Sequence, residues 1–226
     1  MIKENLEEIR RRVESACERC GRDKKEVTLI AVSKTKPLTA LLDAYAGGVR
    51  DFGENKVQEI LDKHPGMPAD TRFHMIGHLQ RNKVRQVLGK TVLIHSVDSL
   101  RLAEQIESEA ARLGIRADIL LEINVSAEES KYGFSLAEAE EKIRIISRMP
   151  HLHICGLMTI APFVSNPEEN RDIFKKLSNF YVDMSNENID NVTMSVLSMG
   201  MTGDYEVAVE EGATMIRVGT GIFGTR

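Results

Sequence analysis

Hydrophobic and polar positions alternate between short β-branched runs and longer amphipathic stretches. Eight apolar runs read as strands: Val27–Ser33, Val49–Gly53, Arg72–Gly77, Val92–Val97, Ala117–Asn124, Leu152–Met158, Thr193–Ser198 and Thr214–Gly219. Between them, stretches such as LTALLDAYAG, SLRLAEQIESEAARLG and ENRDIFKKLSNFYVDMS repeat apolar residues at helical spacing. Strands alternating with helices of about 10–15 residues predict βαβ units and a parallel sheet. Eight such units predict a single-domain (β/α)8 TIM barrel, with a doubly wound open sheet as the alternative. No G-x-G-x-x-G follows the first strand, which weighs against dinucleotide binding. A further charged helix precedes the first strand and should end at Gly21. Too few residues follow the eighth run for another full helix. The N-terminal helix is therefore expected either to cover that gap in the outer ring or to plug the bottom of the barrel.

Composition narrows the function classes. The 226 residues are 42% hydrophobic and 28% charged, with a net charge of -4. That charge argues against broad attraction to nucleic acid or anionic membranes. No run approaches the roughly 20 apolar residues of a membrane span, and the charged N-terminus is not a signal peptide. Three cysteines, an odd number, point to a reducing cytoplasm. Cys17 and Cys20 form a C-x-x-C near a helix end, where neither redox chemistry nor a zinc site is expected without a second pair. Cys155 reads as a small core residue. The six histidines show no metal-ligand spacing, so no metal is expected.

A barrel of this kind does its chemistry at the C-terminal ends of its strands. Read in order, those ends are Ser33-Lys34-Thr35-Lys36-Pro37, Gly53-Glu54-Asn55, Gly77-His78, Ser96-Val97-Asp98, Asn124-Val125-Ser126, Met158-Thr159, Ser198-Met199-Gly200 and Gly219-Thr220-Gly221. Asn55, Ser96, Asp98 and Asn124 suit turns and caps as well as function, and Asp98 has the look of a helix N-cap. The last two ends differ. Ser198 and Thr220 offer hydroxyls, while Gly200, Gly219 and Gly221 offer unobstructed N–H groups. A phosphate dianion wants that combination, although tight turns alone would also use the glycines.

Lys34 ends a core strand, where a buried ammonium is costly. Desolvation and a nearby Arg217 would lower its pKa and leave the neutral amine that Schiff-base chemistry needs. Lys36 shares its strand parity, so alternation cannot choose between them. Pro37 biases Lys36 towards a solvated, extended position. Arg217 is open to a salt bridge with Glu122, or to the ring nitrogen of a bound heteroaromatic. A lysine, an arginine and a phosphate cradle fit pyridoxal 5′-phosphate (PLP) better than a sugar phosphate.

The segments AVSKTKP (31–37), FGENKVQE (52–59), HMIGHLQRNK (74–83), HSVDS (95–99), GLMTI (156–160), LSMGMTGD (197–204) and RVGTGIFG (217–224) resemble the PLP homeostasis proteins. These are single-domain relatives of the alanine racemase N-terminal barrel, and the resemblance runs from about Leu6 to Arg226. It implies that Lys34, rather than Lys36, bears PLP as a Schiff base. It further implies that Arg217 faces the pyridine nitrogen, that Ser198, Gly219 and Thr220 hold the phosphate with Met199 and Gly200 beside them, and that Asn55 and Met158 flank the cofactor.

The implied role is cytoplasmic PLP binding and delivery, with PLP-dependent apo-enzymes as further partners and without an established reaction. Racemases of that kind add a β-domain carrying a catalytic tyrosine, and none is expected after Arg226. The alternatives are a PLP-dependent amino-acid racemase or lyase, and a sugar-phosphate barrel using Lys34 as an aldolase-type amine.

Overall fold

The computed structural model describes residues 1–126 and 132–224. Eight parallel strands close a barrel: β1 (Thr28–Val32), β2 (Asp51–Glu54), β3 (Arg72–Met75), β4 (Leu93–Val97), β5 (Ala117–Asn124), β7 (Leu152–Met158), β8 (Val192–Met201) and β9 (Met215–Val218). Pairing runs β4-β3-β2-β1-β9-β8-β7-β5, and β4 pairs with β5 to close the ring. A two-residue strand, β6 (Phe134–Ser135), adds to β5 outside the ring and was not expected from the sequence.

The helices are α1 (Ile2–Cys20), α2 (Leu38–Ala46), α3 (Val57–Lys63), α4 (Val84–Val87), α5 (Leu100–Leu113), α6 (Leu136–Ile146), α7 (Arg171–Ser185), α8 (Tyr205–Glu210) and α9 (Thr220–Phe223). The expected LQRNKVRQVLG helix contracts to one 3-10 turn and the single turn of α4. Strand alternation sorts side chains between two cores. Phe52, Phe73, Ile94, Leu197 and Ile216 face the helices and join the large outer core. Leu93, Leu120, Cys155 and Met158 form a small apolar cluster of their own.

Helix α1 settles the question of the outer ring. It packs on α2, α8 and α9, covering the gap, and Asn5 donates to the Ile222 carbonyl at 2.9 Å. Gly21 ends it in the left-handed conformation. The cap of α5 is Ser99, whose hydroxyl accepts from the Leu102 N–H, and not Asp98. Asp98 instead receives His78 Nδ1 at 2.8 Å. The seventh barrel strand, β8, runs three residues past the expected end at Ser198, so Met199 and Gly200 lie within it and not in the loop that follows.

Candidate functional site

The turn after β1 carries Lys34 and is clamped from behind. Ser33 and Glu54 have outward parity at the ends of β1 and β2, where α3 covers them. The Ser33 hydroxyl donates to Glu54 Oε1 at 2.6 Å, and Lys63 Nζ on α3 donates to both Glu54 Oε1 and the Ser33 carbonyl at 2.8 Å. Thr35, held at a φ of 64°, donates its N–H to Glu59 Oε1 at 2.7 Å. Burial pushes the Glu54 carboxyl up to about 7, with Lys63 and Ser33 opposing and the neighbouring Glu59 adding to the rise. Burial also opposes ionisation of Glu59, but bonds from Glu54 and the Thr35 N–H hold it below the usual range. Of this neighbouring pair, Glu54 is therefore the group that more readily keeps its proton. The clamp fixes the turn backbone and leaves the lysine side chain free.

Lys34 is exposed, contrary to the expectation of a desolvated amine. It lines a cavity of about 390 Å³ at the barrel mouth, and among the described residues it meets no hydrogen-bond or ion-pair partner. Lys36 is committed elsewhere, donating to the Phe223 and Gly224 carbonyls at 3.3 and 3.1 Å. Asn55, Arg217, Gly219 and Thr220 share the cavity wall with Lys34. Met158, Ser198, Met199 and Gly200 do not. Met158 is fully buried and packs with Leu93 and Leu120. Met199 faces the outer core, and Gly200 takes a φ of 89° where an added Cβ would lie 2.5 Å from Ala208 Cβ. Its glycine serves a bend against α8.

The far wall has features that strand-end reading missed. Thr202 reaches the cavity, and the N–H groups of Gly219 and Gly221 both donate to its hydroxyl at 3.3 Å. Two glycine amides therefore converge on the Thr202 hydroxyl, with Thr220 on the same cavity wall. Asp204 holds the Thr202 loop by accepting the Met201 N–H at 2.7 Å, and Asn170 donates to its other oxygen at 2.8 Å. Loop residues placed after the strand end carry no periodic signal, so nothing in the pattern pointed to Thr202 or Asn170.

Arg217 is 4% exposed and does not pair with Glu122. It donates to Ser198 Oγ at 2.6 Å and to the Thr159 carbonyl at 2.8 Å. Burial lowers it to about 10, with Glu122 and Asp204 opposing, so it stays a cation at neutral pH. Burial, then the like charge of Asp98, raises Glu122 to about 7 against the pull of Arg217. Ser198 Oγ also meets His95 Nδ1 at 3.0 Å; His95 Nε2 meets His74 Nδ1 at 3.0 Å, and His74 Nε2 meets Asp51 Oδ1 at 3.0 Å.

At the opposite end of the barrel, Asp118, His153 and Cys155 gather ligand-type atoms within 4.8 Å, a cluster formed across β5 and β7 that motif spacing did not show. His153 is already engaged there by Asp118 at 2.9 Å and Thr193 at 3.0 Å.

A closed parallel barrel with an amine, a buried cation and converging amides at its mouth defines the alanine racemase N-terminal class, and that family's model, "Alanine racemase, N-terminal domain", matches residues 4–226. The alanine racemase of Corynebacterium glutamicum shares the fold at a TM-score of 0.76 and 14% identity; the match covers 100% of this chain and 61% of that one. Within the class, a protein of Aquifex aeolicus named pyridoxal phosphate homeostasis protein is 42% identical over 99% of this chain and 97% of its own. PipY of Synechococcus elongatus PCC7942, solved with PLP bound, superposes at a TM-score of 0.84 with 35% identity, covering 99% of this chain and 100% of that one. The chain belongs to the pyridoxal phosphate homeostasis protein family.

Proposed function

We propose that this protein binds pyridoxal 5′-phosphate at the barrel mouth and serves as its carrier, without turnover of its own. The observation that carries the reading is the sharing of one cavity of about 390 Å³ by the unengaged Lys34 amine, the Arg217 guanidinium and the Gly219–Thr220 corner. That volume lies in the range of small-molecule sites, roughly 300–1,000 Å³. When bound, the cofactor supplies an aldehyde that condenses with an amine. Lys34 is the amine within reach, since Lys36 is held by two carbonyls.

Gly219, Gly221, Thr202 and Thr220 would hold the phosphate, with Ser198 acting through Arg217 and not at the phosphate itself. Arg217 would face the pyridine nitrogen and keep it unprotonated, which weakens the ring as an electron sink. That supports storage and delivery over proton abstraction from an amino acid. Asn55 borders the ring, while Met158, Met199 and Gly200 support the wall from behind.

All three cysteines are free, and no described helix is long and apolar enough to cross a membrane. Those features support a cytoplasmic carrier that passes the cofactor to PLP-dependent apo-enzymes. The test is borohydride reduction of the PLP-loaded protein followed by peptide mass spectrometry. The adduct is expected on Lys34, to persist in Lys36→Ala and to vanish in Lys34→Ala. A colourless protein with no adduct would sink the reading. Solvent deuterium entering the Cα position of free amino acids would favour a racemase or lyase instead.

A further inference from the structure

Polar groups in a barrel lumen are costly unless each is satisfied, and this lumen holds five in a row. Asp51 stands at the start of β2, His74 on β3, His95 on β4, Ser198 on β8 and Arg217 on β9. Exposures run from 0% to 6%, so no bulk solvent serves the chain. The link from His95 to Ser198 crosses the lumen from β4 to β8, strands that do not pair.

Hydrogen positions follow from the donors at the two ends. Arg217 only donates, so Ser198 Oγ accepts from it and turns its own hydrogen to His95 Nδ1. Asp51 is an acceptor. Burial works against its ionisation, yet bonds from His74 and Arg72 bring it down to about 2. His74 therefore donates from Nε2 and accepts at Nδ1. His95 must then carry its hydrogen on Nε2. Every hydrogen in this arrangement has an acceptor. An imidazolium at His74 would instead reverse His95 and leave the Ser198 proton without one.

We propose that His95, His74 and Asp51 are positioning residues for Arg217. They form a one-way hydrogen-bond chain through the barrel that holds Ser198 as the acceptor for the guanidinium and so fixes the N–H groups Arg217 presents to the cavity. The proposal rests on PLP as the ligand. Its physical content is that Arg217 donates towards the mouth only because Ser198 Oγ is locked as its acceptor by a neutral His95 four strands away on the far wall. Replacing His95 by an apolar residue frees the serine hydroxyl to rotate and loosens the guanidinium.

Nitrogen-15 NMR of histidine-labelled protein reads the tautomers directly and needs no variant. The expected result is His95 as the neutral Nε2–H form and His74 as the same tautomer, with and without PLP. His95 as the Nδ1–H form or as an imidazolium overturns the chain.

A second measurement compares His95→Leu with His95→Asn, whose amide oxygen can accept from Ser198 in place of Nδ1. For the leucine variant, confirmed folded by its thermal transition, PLP binding is expected to weaken about ten-fold or more, as for loss of a buried charge-assisted bond. Its visible absorbance band should shift, with partial recovery in the asparagine variant. A folded His95→Leu protein with wild-type affinity and band overturns the proposal, provided borohydride still places its adduct on Lys34. If the wild-type protein forms no adduct on Lys34, the ligand reading fails, and the role of Arg217 falls with it whatever the tautomers.

Discussion

At the scale of single residues, the site depends on which polar groups are already committed. Lys36 donates to two carbonyls while Lys34 meets no partner among the described residues, so two lysines of equal parity separate by their surroundings and not by their sequence. Glu54 provides a pH test. Its folded-state pKa of about 7 exceeds the 4.5 of an ordinary glutamate, so the folded chain binds a proton that the unfolded chain releases first. The stabilisation is complete below about pH 4.5 and is lost as pH rises through 7, at up to about 1.4 kcal/mol per unit. Glu122 acts in the same sense. In Glu54→Gln, denaturant unfolding between pH 5 and 8 should show a shallower decline than wild type; an unchanged slope would refute the assignment. Thr202→Val keeps the shape of the corner and removes one hydroxyl. Its PLP affinity, measured by absorbance titration, should fall several-fold to ten-fold.

At the scale of elements, β7 and β8 show what pattern reading can and cannot find. The run Leu152–Met158 matches β7 exactly in extent because its alternation is set by two cores, one on each face. Gly156 sits at a break in the pairing register with both neighbouring strands. Its φ is 151°, and an added Cβ would lie 1.8 Å from the Val196 carbonyl oxygen. Backbone cannot yield as a side chain can. Gly156→Ala should therefore cost several kcal/mol, seen as a large fall in thermal midpoint or as insoluble protein. The chain direction of β8 was legible, but its length was not. Met199 to Met201 look like loop residues, yet Met201 pairs with Arg217 and the ladder carries the strand onward.

At the scale of the whole molecule, closure between β4 and β5 brings β4 and β8 to opposite walls of one lumen, and α1 completes the outer ring. A ligand held across the mouth as proposed would bridge β1 and β9 with the β8 loop, so binding should stabilise the entire barrel. At PLP concentrations 100-fold above Kd the gain is about 2.7 kcal/mol. For a chain of this size that raises the midpoint by roughly 5–10 °C in calorimetry. Lys34→Ala should show a much smaller rise at the same concentration.

The sequence alone determined eight repeating βα units and a parallel sheet, because strand and helix periodicities are local; the pairing of β4 with β5 decided for the barrel over the open sheet. The sequence also determined the identity of Lys34, Arg217 and the Gly219–Thr220 corner as candidates, since a cation or a glycine pair at a strand end stands out from its neighbours. Tertiary structure decided the rest. The threonine that receives two glycine amides, the acid pair behind the lysine turn and the histidine chain across the lumen join residues up to 103 positions apart. Such contacts arise only when strands distant in the chain close into one ring, and no periodicity along a single segment encodes them.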